Sequence, residues 1–117
     1  MPHEITIAGR KVSLAWDTET AKRFAFRMVE VGGEPSGKQL SNPRTVTTAL
    51  FKVLWGLLPT SEFARHADPE SLFVAVDHEK EAEAIFTALR EVYSERFVSD
   101  EKKSTLMTSP SPESNSG

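Results

Sequence analysis

The chain has 117 residues, 38% hydrophobic and 26% charged, with a formal net charge of −3 and no cysteine. A chain of this length forms one domain burying roughly two-thirds of its unfolded surface, and its balance of apolar and charged residues excludes membrane, collagen-like and wholly disordered classes. Lack of cysteine removes disulfides, thiolate zinc sites and thiol nucleophiles, and the start MPHEITIAG has neither the basic nor the apolar region of a secretory leader, so a cytoplasmic protein is expected.

Residues 4–16, EITIAGRKVSLAW, place Ile5, Ile7, Val12, Leu14 and Trp16 in alternation around Gly9-Arg10, the period of half-buried strands. A type II′ turn with glycine first would set Ile7 opposite Val12 and Ile5 opposite Leu14, all on one face. A lone hairpin is marginal in water, so it packs on helices or pairs with a strand of another subunit. Asp17 then caps a helix over about 17–31, with the apolar stripe Ala21, Phe24, Ala25, Met28 and Val29 and an end at Gly32-Gly33. Residues 32–43, GGEPSGKQLSNP, read as a glycine-rich mobile connector.

Asn42 caps, and Pro43 begins, a second helix over 43–58 that Pro59 stops. Val46, Ala49, Leu50, Val53, Leu54 and Leu57 form one stripe. Phe51, Trp55 and Leu58 widen the arc to roughly 240°. Covered on several sides, this is the central helix of a small domain; uncovered, it is a patch for a partner. The candidate partner-binding set is Phe51, Trp55, Leu58, Phe63 and Phe73.

TSEFARHA gives a short helix over 61–67, and DPESLFVAV has the Asp68-Pro69 start of a helix over 69–76, although SLFVAV also has the composition of a strand. Asp77 caps a last helix over 77–97 with the stripe Ala82, Ile85, Phe86, Leu89, Val92, Tyr93 and Phe97. Glu91 and Glu95, like charges at i,i+4, form either an ordinary solvated face or an acidic docking ridge. From Ser99 the chain is rich in Ser and Pro, with Leu106 and Met107 its only sizeable apolar groups, the composition of a disordered tail. The expected architecture is α+β, mostly α. One globular domain, 1–98, has its N-terminal β-hairpin packed on a small bundle of three to five helices, followed by a disordered C-terminal tail, 99–117.

Residues 1–58 hold eight Lys/Arg against five Asp/Glu, and 59–117 hold six against twelve, a separation suited to head-to-tail self-association or a basic partner. The frame of a P-loop occurs in GGEPSGKQ, residues 32–39. A helix is expected before it rather than a strand, Gln39 stands where a magnesium-binding hydroxyl belongs, and the following helix is delayed, so no nucleotide is expected. His3, His66 and His78 lie in different segments, and HEKEA, 78–82, has Ala82 where a zincin helix has its second histidine. With no hydrolase elbow and no basic stripe interleaved with aromatics, the sequence points to no enzyme, cofactor, metal or nucleic acid.

The hairpin ITIAGRKVSLAW, the helix TETAKRFAFRMVEV, the apolar helix TVTTALFKVLWGLL and the later AEAIFTALREVYSERF together resemble, over about residues 4–97, the tail assembly chaperones of long-tailed bacteriophages. The resemblance implies a non-enzymatic protein of the bacterial host cytoplasm that keeps the helices of the tape-measure protein soluble and helps recruit the tail-tube protein. It also implies a longer product made by ribosomal frameshifting, for which the codons of Glu101, Lys102 and Lys103 are the candidate region. A second expectation, from a different class, is a structural tail or head–tail connector protein that stays in the virion as a ring, closed by the hairpin and the charge separation.

Overall fold

The structure, a computed structural model, describes residues 3–108. Strands β1 (His3–Ile7) and β2 (Arg10–Leu14) form an antiparallel hairpin with Ile5 opposite Val12 and Ile7 opposite Arg10. The expected register is therefore corrected by two residues. The turn is Ala8-Gly9, with φ of 52° and 83°, the left-handed pair that a type I′ turn needs. A carboxylate selects it: Glu81 accepts the N–H of Ala8 on one oxygen and that of Gly9 on the other, each at 2.9 Å. Because side chains alternate with period two, the slip leaves Ile5, Ile7, Val12 and Leu14 on the same buried face.

Helix α1 (Thr18–Glu30) starts where expected, Asp17 accepting the N–H of Thr20 at 2.8 Å. It ends in a Schellman arrangement: Gly33 N–H donates to the Met28 carbonyl and Gly32, at φ 86°, to that of Val29. Its buried face is Thr20, Phe24, Arg27 and Met28, so the expected stripe is rotated. Ala25 is exposed and Val29 is 78% exposed. Arg27 turns inward because its guanidinium finds partners at the end of a neighbouring helix. The connector contains a short helix, α2 (Gly37–Ser41), started by a capping box in which Ser36 and Gln39 satisfy each other's backbone N–H.

Helix α3 (Val46–Leu57) begins three residues later than expected. Asn42 still caps the approach, its side chain accepting the N–H of Arg44 at 2.9 Å. Every residue from Ala49 to Leu58 is buried except the half-buried Lys52. Gly56 marks the closest approach to α1, since a methyl there would lie 2.7 Å from both Met28 Cε and Phe24 Cδ1. Short α4 (Thr60–Phe63) follows, then α5 (Pro69–Ala75), capped by Asp68 through the Ser71 N–H. The stretch 71–75 is helix rather than strand.

Helix α6 (Ala82–Thr108) starts five residues after Asp77, whose side chain instead caps the preceding turn through the N–H groups of Glu79 and Lys80. Its backbone continues to Thr108, beyond the tail boundary read at Ser99. Residues 99–108 carry good helix formers such as Glu101, Lys102, Leu106 and Met107 and no proline. The rest of the expected tail, 109–117, lies outside the described residues. One core joins the inner face of the hairpin to α1, α3, α5 and α6, with Phe24, Phe51, Trp55, Leu72 and Leu89 at its centre.

Candidate functional site

The candidate partner-binding residues divide sharply. Phe51 and Trp55 are each 2% exposed and Leu58 is fully buried, so the reading of these three as a contact patch is corrected: they form the inside of the domain. The apolar arc of α3 is wide because α1, α2, α5 and α6 pack around it. Trp55 is fixed further by its Nε1–H, which donates to the His66 carbonyl at 3.1 Å. Phe63 is half-buried, its ring 4.8 Å from Trp55 and beneath the Arg27 guanidinium at 3.6 Å. Phe73 is the most exposed of the set, at 40%.

Phe73 stands at the edge of a groove of about 470 Å³ between α3 and α5, lined also by Val31, Thr48, Lys52 and Pro69, with Phe51 reaching it from the core. His78 closes the end of α5 by donating from Nε2 to the Phe73 carbonyl at 2.7 Å, and its ring lies 4.4 Å from that of Phe73. Val74, 75% exposed, follows on the same helix and was missed in the sequence. A signal for it existed: Leu72 to Val76 is an unbroken apolar run, and a helix cannot turn five successive residues toward one core.

Two charged groups are buried in the domain, Glu62 and Arg27. Glu62, 5% exposed, accepts from Arg10 Nε at 3.1 Å and Nη2 at 2.7 Å and from His66 Nε2 at 2.7 Å. The Arg10 hydrogen bond in the first place, with that of His66, holds the Glu62 carboxyl below the usual carboxylate range against the opposing effect of burial. Arg27, 6% exposed, donates from Nη1 to the carbonyls of Gly56 at 3.0 Å and Leu58 at 2.7 Å. Burial, then the neighbouring Arg23, lowers its pKa to about 10, which leaves it charged at neutral pH. These groups join elements to one another, and neither lines the groove beside Phe73.

The remaining sequence candidates are also accounted for. At the start of α2 the amides of Ser36 and Gln39 donate to each other's side chains, and the element before the loop is α1. The delayed helix of the sequence reading is nonetheless corrected, since α2 does begin at Gly37. His3 lies between two acids, Nε2 at 2.9 Å from Glu95 and Nδ1 at 3.5 Å from Glu91, so this pair tethers β1 to α6 rather than forming a free acidic ridge. Glu101, Lys102 and Lys103 are on the backbone of α6. Among the described residues no group of three His, Asp or Glu is placed to hold a metal ion, and no helix is long and apolar enough to cross a membrane. No family model, curated protein or solved structure matches the chain.

Proposed function

We propose that the protein is a tail assembly chaperone of a long-tailed bacteriophage, acting in the host cytoplasm by holding apolar helical segments of the tape-measure protein and passing them to tail-tube subunits. The observation that supports this reading is the groove between α3 and α5, where Phe73 and Val31 present apolar surface at the rim of a folded core. A helical partner can lay one or two apolar side chains into such a groove at i and i+4. The groove replaces the Phe51–Trp55 face as the contact surface.

The test is co-expression with the genes that neighbour this one, followed by pull-down and mass spectrometry. Recovery of a very long helical protein by the native chain, and its loss with Phe73→Ser at unchanged circular dichroism, is the expected outcome. Capture of no such protein overturns the reading. A larger form sharing peptides before residue 103 would mark the frameshifted product. The second reading, a ring-forming structural tail or connector protein, is favoured by the charge separation along the chain; the protein would then be found in purified virions.

A further inference from the structure

The stretches 35–61 and 68–83 carry opposite charge. From Pro35 to Ser61 there is no Asp or Glu, and the three cations of that stretch, Lys38, Arg44 and Lys52, make no ion pair among the described residues. Arg90 on α6 is also without one. Its helical neighbours at i±3 and i±4 are Phe86, Thr87, Tyr93 and Ser94, so no acid lies within reach on its own helix. Arg90 borders a second groove, of about 300 Å³, whose walls are otherwise mostly apolar: Leu40 from α2, Val46 and Leu50 from α3, Leu89 from α6.

The opposite character is found on α5 and the turn after it. Residues 68–83 carry six carboxylates against one lysine, and Glu70, Glu79 and Glu83 are exposed and make no ion pair among the described residues. Val74, 75% exposed, projects from this acidic surface one helical turn after Glu70. One face is thus an apolar groove bordered by the cation Arg90, and the other an apolar knob one helical turn from the anion Glu70.

We propose that these faces bind each other between copies of the chain, the α5 knob of one molecule entering the Leu40–Leu89 groove of the next. A molecule cannot fill its own groove. Phe51, against which Phe73 of α5 packs at 5.1 Å, points roughly 130° around α3 from the Val46–Leu50 wall. Because the two patches differ, the contact is head-to-tail and repeats, closing into a ring or extending as a filament. Its charged rim makes it weaken as salt rises. None of this depends on the chaperone role.

Sedimentation velocity on the full chain at low and high salt tests the proposal. Species larger than a monomer are expected at low salt and are lost at high salt. Val74→Asp, which spoils the knob, and Arg90→Glu, which spoils the groove rim, each give a folded monomer by circular dichroism. An equal mixture of the two variants gives a dimer and nothing larger, because only the groove of the first and the knob of the second remain intact. A native chain that is monomeric at every concentration, association untouched by either variant, or a mixture that stays monomeric overturns it. So does a monomer whose Arg90 face retains a nucleic acid or an acidic protein in place of a second copy.

Discussion

Arg27 and Glu62 are buried to the same degree, 6% and 5% exposed, yet they are stabilised in different ways. Glu62 is matched by the opposite charge of Arg10 from the hairpin and is hydrogen-bonded to His66 one turn further along the chain. Arg27 has no carboxylate within ion-pair distance among the described residues. It sits on the last carbonyls of α3, where the aligned peptide dipoles carry partial negative charge, with the Phe63 ring beneath it. A buried cation therefore needs no counter-ion where a helix ends against it. Glu62 lies in the first turn of the short helix α4, and that one turn does not replace its charged partner Arg10.

The comparison breaks most visibly at Glu62. Removing one partner of a buried pair strands the other, so Glu62→Ala should cost about 2 to 3 kcal/mol, below the fully dry range because Arg10 reaches solvent. Urea unfolding monitored by tryptophan fluorescence reads this directly. Gly56→Ala attacks the Arg27 arrangement from the α3 side, pushing against Met28 and Phe24, and should cost about 2 kcal/mol in the same assay despite the better helix propensity of alanine. Arg27→Met keeps most of the packing on Phe63 but leaves two carbonyls without their donor, a loss of about 1 to 2 kcal/mol.

Acid sharpens the contrast. The folded pKa of Glu62 lies below its ordinary 4.5, so its contribution is fully present above that value and is lost as pH falls through the depressed one. Stability measured from pH 7 into this acid range should fall less steeply in Glu62→Gln than in the native chain. In Arg27→Met the slope should match the native one, since Arg27 stays protonated throughout. The smallest effect has the opposite sign: Ala8→Gly removes the left-handed strain at φ 52° and should raise stability by about 0.5 to 1 kcal/mol.

What the sequence revealed depended on how local the determining interaction is. The caps Asp17 and Asp68, the glycine pair ending α1 and the alternation in the hairpin act within a few residues, and each is present in the structure. The capping box of α2 was equally local, visible as Ser36 and Gln39, but lay hidden in a stretch read as turn formers. Register and facing were not legible. The hairpin turn answers to Glu81, 72 or 73 positions away, and α1 is rotated by carbonyls belonging to α3. The site suffered most. Phe51, Trp55 and Leu58 were read from the width of an arc on α3, whereas exposure is decided by which helices cover that arc, and it was Phe73 of α5 that emerged at the rim.

The grip of Glu81 on the Ala8-Gly9 turn and of Glu95 on His3 spans most of the chain. As the chain is synthesised, β1 and β2 leave the ribosome before Glu81 and α6, with a left-handed alanine that nothing yet holds, and a two-stranded ribbon alone is marginal. The hairpin therefore matures last, once α6 has emerged to clasp it. Closing contacts of such long sequence separation slows folding, and until then the apolar face of Ile5, Ile7, Val12 and Leu14 lacks the cover of α6, so the nascent chain is exposed to aggregation along its hairpin.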